Sequence, residues 1–519
     1  MAISLPAGLA QAAQATPSTT RPVRFFHRGA VVAVHAAPST RTVLQWLRED
    51  ARCMGTKEGC AEGDCGACMV VVGSLDAAGA LQLQPVNACL HFLPTLDGKA
   101  LFTVEDVATS GQSAEVALHP VQQSLVDCHG SQCGFCTPGF VMSLWACYQR
   151  HQAAGTVPTR QQLADDLAGN LCRCTGYRPI LDAGQQMMAA PAVAFAQEPV
   201  LQALQTLALD APLQTAQGFH APRTLAEFAA LREARPDARV LAGSTDMGLW
   251  VTKQLRDLGE LISINEVTEL KRVVVDEQHI TVGAAVSLED AWQALVAEWP
   301  PLRDVWLRFA SAPIRRAGTM GGNVANGSPI GDSAPVLIAL GASIVLQRGM
   351  QVRRMALEDF YTGYMLNQLQ PGEFVQSMEV PRRRPAQQVR AYKTAKRFDS
   401  DISAVCAALT LEIKDSRVVC ARLAFGGMAA TVRRAAHAEA ALQGQPWTAA
   451  TLQAAQAALT LDFQPLSDMR ASAAYRLQVA QNLLRRFWLE TRVDAPLPES
   501  AVSVFARGSV HPSAAKAAP

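Results

Sequence analysis

The stretch GCAEGDCGAC, residues 59–68, places three cysteines in the pattern C-x4-C-x2-C, and a fourth cysteine follows on a later segment. This is the ligand spacing of a plant-type [2Fe–2S] site. Interleaved glycines let such a loop turn tightly and bring its N–H groups close to sulfur. Zinc is the alternative, but zinc sites rarely use the x4 spacing or so much glycine. The predicted iron ligands are Cys60, Cys65, Cys68 and Cys89.

A second set of four cysteines pairs a C-x2-C with a C-x-C further along the chain. The first pair precedes a predicted helix with Thr137 as N-cap and Pro138 at its first position, where unpaired N–H groups favour an anion. Taken alone, this pattern fits zinc as well as iron, and its place beside the first motif favours a second cluster. His119 and His129 would be ligands in a Rieske-type site, but four cysteines already complete the set. The predicted ligands are Cys133, Cys136, Cys172 and Cys174.

The bulk composition limits the class of protein. A chain of 519 residues predicts three or four domains, and a net charge of +1 argues against nucleic acid as a main partner. No apolar run approaches the length of a membrane span, and the longest, 336–346, indicates a buried strand or helix segment. Residues 1–20 lack the basic start of a secretion signal. Because the cysteines stand at ligand spacing rather than in a disulfide framework, we expect a reducing cytoplasm.

The order of sequence patterns predicts an α+β multidomain chain. Short strands, one helix and the glycine-rich loop indicate a β-grasp ferredoxin domain. A helical-bundle [2Fe–2S] domain, an α+β FAD-binding domain and an α/β C-terminal flavoprotein domain follow. The predicted segments are a disordered tail 1–21, ferredoxin domain 22–105, helical domain 106–188, linker 189–217, FAD-binding domain 218–388, C-terminal flavoprotein domain 389–499 and disordered tail 500–519.

The flavin part carries a weaker signal than the cysteines. The stretch VLAGSTDMG, residues 240–248, is neither a Rossmann G-x-G-x-x-G nor a P-loop. It indicates a strand that enters a turn rich in glycine, serine and threonine, whose consecutive N–H groups suit a pyrophosphate. Residues 321–323 and 328–332 form a second turn of this kind.

Three motifs together carry a family resemblance: EGDCGAC at 62–68, HGSQCGFCTPG at 129–139 and GNLCRCTGYR at 169–178. They resemble the molybdenum hydroxylases, and the later sequence resembles the flavoprotein domain of that family. The resemblance covers about residues 22–495, and its cysteine motifs are highly specific. Many members have Gly-Gly where this chain has Gly63-Asp64, which is a departure in the loop nearest the flavin.

The resemblance implies two [2Fe–2S] clusters and FAD, with NAD+ as the electron acceptor. It implies phosphate contacts from the first turn and from Thr319 to Asn323, and a ribose contact from Asp332. It also implies an aromatic against the flavin ring at Phe309, and Lys393 and Arg397 near the flavin edge. A core aromatic and two surface charges are the alternatives for the last three. The implied FAD contacts are Val240, Leu241, Ala242, Gly243, Ser244, Thr245, Asp246, Met247, Phe309, Thr319, Gly322, Asn323, Asp332 and Lys393.

The resemblance also implies a function in electron transfer, with no catalytic residue on this chain. Because the predicted domains account for the whole chain, we expect the molybdopterin site on a large partner subunit, with Gln132 facing it, in an (αβ)2 heterotetramer. The fusion of iron–sulfur and flavin parts favours the purine-oxidising members. Relatives that act on aldehydes, carbon monoxide or N-heterocycles are one alternative, and a stand-alone redox carrier is another.

Overall fold

In the computed structural model, which describes residues 20–110 and 116–503, the first domain is a five-stranded sheet with one helix against it. The first strand pairs antiparallel with the second and parallel with the last, which is the mixed pairing expected of a β-grasp. A capping box between Thr42 and Gln45 starts the helix. The strands are Val23–His27, Ala30–Val34, Met69–Leu75, Leu81–Asn87 and Ala100–Phe102, and the helix is Val43–Glu49.

The second domain is a small bundle of helices, as predicted. Its longest helix, Thr137–Ala154, packs on the strand Met69–Leu75, so the two cysteine-bearing domains share a core. The N-cap of this helix is Cys136, one residue before the predicted Thr137. A capping box of Thr159 with Gln162 starts the helix Arg160–Asp166. The other helices are Pro120–Asp127, Arg160–Asp166 and Arg178–Gln186, and a two-stranded ladder pairs Thr109–Ser110 with Val116–Ala117.

The predicted linker 189–217 contains a packed helix, Glu198–Ala208. Its residues Val200, Leu204 and Leu207 are buried in the core shared by the first two domains. Their spacing of four and three residues is that of one helix face. The linker prediction missed this signal because it relied on the Ala/Gln/Pro content of the segment.

The region predicted to bind FAD holds a four-stranded sheet followed by a five-stranded antiparallel sheet. The strands of the first sheet are Leu213–Gln214, Phe219–Ala221, Arg239–Leu241 and Leu261–Ser263, and those of the second are Val273–Val275, His279–Gly283, Ser343–Arg348, Gln351–Ala356 and Phe374–Pro381. The helices are Leu225–Ala234, Met247–Thr252, Leu288–Glu298, Arg303–Arg308, Ala312–Ala317, Met320–Ala325, Ser333–Ala339 and Leu357–Phe360. A short ladder joins Tyr361–Gly363 to Leu366–Asn367.

The C-terminal domain packs helices on an antiparallel sheet. Its strands are Gln387–Thr394, Val405–Lys414, Arg417–Gly426 and Arg433–Arg434, and its helices are Ala436–Leu442, Ala449–Asp462, Ala473–Thr491 and Glu499–Val502. The predicted tails 1–21 and 500–519 lie mostly outside the described residues, although Arg21 already pairs with Asp97 at 2.6 Å. None of the helices in the described ranges is long and apolar enough to cross a membrane.

Candidate functional site

The structure brings the four cysteines of the first motif together. Cys68 and Cys89 are buried, and Cys60 and Cys65 are partly exposed. The backbone N–H groups of Glu62 and Cys65 both donate to Cys60 Sγ, each at 3.4 Å. The hydrogen bond from the Cys65 thiol, followed by that from Cys89, holds the pKa of Cys60 well below its usual value. The loop therefore favours a thiolate at Cys60.

The second set of cysteines also converges, but at the surface. Cys133 and Cys174 interact with each other and are exposed, whereas Cys172 interacts with Cys136 and is buried. Thr175 Oγ1 donates to Cys172 Sγ at 3.3 Å. Burial raises the pKa of Cys172, but the hydrogen bonds from Thr175 and its neighbours outweigh burial and lower it to about 7. One edge of this site thus faces solvent.

In each set the thiols contact one another. Cys60 interacts with Cys65 and Cys89 and Cys68 with Cys89 in the first set, and Cys133 interacts with Cys174 and Cys136 with Cys172 in the second. A structural zinc places four ligands on one ion, whereas a [2Fe–2S] cluster divides four thiolates between two irons. The eight cysteines therefore have the chemistry and the grouping for two [2Fe–2S] clusters.

His119 has a structural position. Its Nδ1 accepts from the backbone N–H of Val121 at 3.2 Å and caps the helix Pro120–Asp127. Its ring packs edge-on against Tyr148. Burial lowers the pKa of His119 to about 4, so the ring is neutral near pH 7.

The two cysteine loops touch each other directly. Leu171, next to Cys172, donates its backbone N–H to the carbonyl oxygen of Cys65 at 2.9 Å. Asn170 Nδ2 donates to the carbonyl oxygen of Gly66 at 3.3 Å. A Cβ on Gly139 would lie 2.1 Å from that same oxygen, so only glycine permits this approach. The loop that carries Cys172 and Cys174, the second cluster loop, therefore lies directly against residues 59–68, the first cluster loop.

The predicted flavin turn follows the strand Arg239–Leu241 and leads into the helix Met247–Thr252. It forms the wall of a cavity of about 360 Å³. Ser244 takes a left-handed backbone with φ of 63°. Ser244 Oγ and Asn323 Oδ1 are buried there without a hydrogen-bond partner among the described residues. The predicted contacts that line this cavity are Val240, Ala242, Gly243, Ser244, Thr245, Asp246, Met247, Thr319, Gly322 and Asn323.

The Ser244 hydroxyl can donate and so fits the pyrophosphate part of FAD, whereas Asn323 Oδ1 accepts and so fits a hydroxyl donor of the same ligand. Unpaired buried polar atoms are costly unless a ligand satisfies them. Thr319 Oγ1 accepts from the N–H of Gly322 at 3.1 Å and so caps the helix Met320–Ala325 beside the cavity. The residues present can therefore hold a phosphate group from two sides.

A second cavity of about 470 Å³ adjoins the first and is largely apolar. The two cavities share Val240, Ala242, Met247 and Trp250 in their walls. Phe374 lines the second cavity. Sequence reasoning missed Trp250 and Phe374, because neither belongs to a turn motif; only the place of Trp250 just after the turn gave a signal. Together the cavities suit an elongated ligand with one polar and one apolar part.

The residues predicted near the flavin ring lie outside the walls of the first cavity. Phe309 is 9% exposed and packs with Trp292 at 6.0 Å between ring centroids. Lys393 Nζ donates to Asp332 Oδ2 at 2.6 Å and to Ser403 Oγ at 2.8 Å. The alternative of a surface charge is wrong for Lys393, which is buried. The ribose contact of Asp332 stays a prediction, since its carboxylate already bonds Lys393 and Ser403.

The helix that follows the flavin turn lies against the first cluster loop. Thr252 Oγ1 donates to the carbonyl oxygen of Ala61 at 2.7 Å, and Lys253 pairs with Glu62 at 3.6 Å. A Cβ on Gly248 would lie 3.0 Å from the carbonyl oxygen of Leu90, the residue after the ligand Cys89. The first cluster loop therefore stands between the second cluster loop and the flavin turn.

Four family models match the chain in succession. Residues 25–93 match the 2Fe-2S iron-sulfur cluster binding domain, and residues 103–185 match the [2Fe-2S] binding domain. Residues 213–383 match the FAD binding domain in molybdopterin dehydrogenase. Residues 390–491 match the CO dehydrogenase flavoprotein C-terminal domain.

Curated relatives are similar over most of this chain. A xanthine dehydrogenase of Drosophila pseudoobscura pseudoobscura is 33% identical over 484 residues, which is 81% of this chain and 35% of the relative. Aldehyde oxidase 4 of Cavia porcellus is 31% identical over 489 residues, 82% of this chain and 36% of the relative. The chain thus spans just over a third of the length of these relatives.

Two solved structures are similar to this chain over about half of its length. A chain of carbon monoxide dehydrogenase from Hydrogenophaga pseudoflava matches 53% of this chain and 96% of its own length, with 26% identity and a TM-score of 0.50. A chain of quinoline 2-oxidoreductase from Pseudomonas putida 86 matches 54% of this chain and 98% of its own length, also with 26% identity and a TM-score of 0.50. With two [2Fe–2S] domains, an FAD-binding domain and a flavoprotein C-terminal domain in this order, the chain carries the electron-transfer domains of the molybdenum hydroxylase family.

Proposed function

We propose that this chain is the iron–sulfur and FAD subunit of a bacterial-type xanthine dehydrogenase, conveying electrons from a partner molybdenum cofactor through two clusters to FAD and then NAD+. The observation that carries the proposal is the order of contacts. The second cysteine loop touches the first through Leu171 and Cys65, and the first touches the flavin helix through Ala61 and Thr252. The three candidate sites therefore form one unbroken series.

Each bound group would supply a chemistry that side chains lack: [2Fe–2S] clusters carry single electrons, and FAD exchanges electrons singly or in pairs. The protein's part is to hold and insulate them. Cys68 and Cys89 keep one side of the first site dry, since both are buried. Ser244 offers its unpaired hydroxyl as a donor to the FAD phosphates, Asn323 offers its unpaired amide oxygen as an acceptor to a hydroxyl of the dinucleotide, and the apolar cavity beside Trp250 receives the adenosine part.

The second site supplies the contact with the proposed large molybdopterin subunit. Cys133 and Cys174 are exposed, and so is the adjacent Gln132. Phe135, on the same loop, is 47% exposed, which is unusual for a large apolar side chain beside a redox site. We propose that Gln132 faces the pterin-bearing partner and that two copies of each subunit assemble as an (αβ)2 heterotetramer.

A purine as the reducing substrate is supported by relatives named xanthine dehydrogenase in insects, fungi and plants. The second candidate is the equivalent subunit of an aldehyde, carbon monoxide or N-heterocycle hydroxylase. The aldehyde oxidase relative and the similarity to carbon monoxide dehydrogenase and quinoline 2-oxidoreductase favour that candidate. The substrate pocket would lie on the partner in either case.

The test is anaerobic turnover with and without a partner. The chain is purified alone and after co-expression with a large molybdopterin subunit, and NADH formation is followed with xanthine, an aldehyde and quinoline as separate substrates. We expect NADH and urate from xanthine only when both subunits are present. Urate formation by the chain without its partner would contradict the proposal that the substrate site lies on the partner. Turnover of the aldehyde or quinoline but not of xanthine would favour the second candidate. Failure to reduce NAD+ in any combination would contradict the proposed acceptor.

A further inference from the structure

The first cluster loop carries two acidic residues, and each one meets a basic side chain from another domain. Glu62 pairs with Lys253 at 3.6 Å, on the helix after the flavin turn. Asp64 pairs with Arg397 at 3.3 Å, on the segment between two strands of the C-terminal domain. Both carboxylates thus pair with residues that are distant in sequence.

Asp64 is the closer of the two to the predicted cluster along the chain. It lies between Gly63 and the ligand Cys65, whose own N–H donates to Cys60 Sγ. A cluster with four thiolates is anionic, and its potential depends on net charge, hydrogen bonds and exposure. A carboxylate beside Cys65 disfavours the addition of an electron to the cluster. A guanidinium that neutralises this carboxylate offsets the effect.

Arg397 is held in place by its own segment. Its Nη2 also donates to the carbonyl oxygen of Ser400 at 3.1 Å, and its backbone N–H donates to Asp401 at 2.8 Å. Ser400 Oγ in turn reaches the carbonyl oxygen of Ala168 in the helical domain at 3.5 Å. Asp64 is the main group that raises the pKa of Arg397, first by its hydrogen bond and then by its charge. The guanidinium is therefore directed at the loop by contacts within three domains.

We propose that Asp64 and Arg397 act as an opposed pair that sets the reduction potential of the first cluster, Asp64 lowering it and Arg397 raising it. This inference rests on the proposed function, because it needs the cluster in the first site. Both residues act on the cluster through their charge and do not ligate it. Since the two side chains are 36% and 50% exposed, added salt weakens their effect.

The test is an anaerobic redox titration of the full chain, in which EPR spectra report the first-cluster signal. That signal is assigned as the one that survives in Cys133→Ser. Asp64→Asn is expected to raise the potential, and Arg397→Gln is expected to lower it. The double variant D64N/R397Q, which has the same net charge as the wild type, is expected to return close to the wild-type potential. Lys396→Gln is the matched control, since Lys396 Nζ bonds the carbonyl oxygen of Met469 and not the loop.

Opposite shifts distinguish a charge effect from a structural one, because simple loosening of the contact would move both single variants in the same direction. Shifts of equal sign, or shifts no larger than that of Lys396→Gln, would overturn the inference. If Asp64→Asn does not assemble the cluster, Asp64→Ser provides the same loss of charge. A wild-type chain with only one EPR signal, or with about two irons instead of about four, would contradict the proposed function itself.

Discussion

The backbone N–H of Leu171 donates a hydrogen bond of 2.9 Å to the carbonyl oxygen of Cys65. This single bond joins a residue adjacent to a ligand of the second candidate cluster to a ligand of the first. Gly66 lets residues 169–170 approach the first loop without a side chain between them, and Gly139 lets the helix Thr137–Ala154 approach Gly66 in the same way. The closeness of two redox sites is thus built into backbone geometry.

Replacing Gly139 by alanine tests that approach. The new Cβ would lie 2.1 Å from the carbonyl oxygen of Gly66, so the helix Thr137–Ala154 must move away from the first cysteine loop. We expect a loss of about 1–3 kcal/mol in the free energy of unfolding and slower electron transfer between the clusters. Denaturant midpoints and rapid-freeze EPR measure the two effects. Gly363→Ala is the control, since its Cβ would meet nothing closer than 3.4 Å. Equal behaviour of the two variants would show that the approach of the loops is not tight.

The variant Ser244→Ala should weaken FAD binding without lowering the stability of the FAD-free chain. The hydroxyl has no partner among the described residues, so its removal should leave the stability of the FAD-free chain unchanged or slightly higher. If it donates to a phosphate, FAD should bind about 10- to 100-fold more weakly, which corresponds to about 1.5–3 kcal/mol. FAD titration and thermal unfolding of the FAD-free chain check both parts. Unchanged FAD affinity would show that the Ser244 hydroxyl does not contact FAD.

Cysteine-to-serine variants test the ligand assignment. Cys133→Ser should lower the iron content from about four to about two per chain and remove one of two EPR signals. Cys420→Ser is the control, because Cys420 is a partly exposed free thiol on a strand of the C-terminal domain. We expect that control to keep all the iron. Loss of iron from both variants, or from neither, would contradict the assignment.

The buried pair of Lys393 and Asp332 predicts a large effect on stability. Lys393→Met leaves the Asp332 carboxylate buried without its cation, although the Ser403 hydroxyl still donates to it, and should cost about 3–5 kcal/mol. Denaturant unfolding followed by the fluorescence of bound FAD reports the loss. The double variant D332N/K393M should recover much of it. A double variant less stable than Lys393→Met would show that the stabilisation does not come from the pair.

Because His119 is buried, we expect the stability of the folded chain to decrease in acid. The pKa of His119 is about 4 in the folded chain, against 6.5 in the unfolded chain, because it is buried. Between these values the unfolded chain binds a proton that the folded chain does not. Stability should therefore fall as the pH drops from 6.5 to about 4, by up to about 3 kcal/mol, with no further loss below that.

The variant His119→Asn tests this origin of the acid sensitivity. Asparagine keeps the helix cap but does not titrate in this range. Unfolding by urea at pH 7 and pH 4.5 should show a smaller difference for His119→Asn than for the wild type. An equal difference for both proteins would assign the acid sensitivity to other groups.

The sequence predicted the local features well, because they depend on neighbours in the chain. The cysteine spacing and the start of the helix near Thr137 and Pro138 both rest on short-range rules. Contacts between distant residues could not be predicted in this way. Lys393 meets Asp332 across 61 residues, and Arg397 meets Asp64 across 333 residues. Such pairs depend on how the domains pack, which no local pattern encodes.

The most direct test of the series of three sites is an anaerobic titration of the full chain with NADH, followed by visible and EPR spectra. Electrons that enter at the flavin should reach both clusters through the contacts of Thr252 with Ala61 and of Leu171 with Cys65. We predict that flavin bleaching is accompanied by two distinct [2Fe–2S] signals. Bleaching of the flavin alone, in a chain whose clusters dithionite does reduce, would contradict the account.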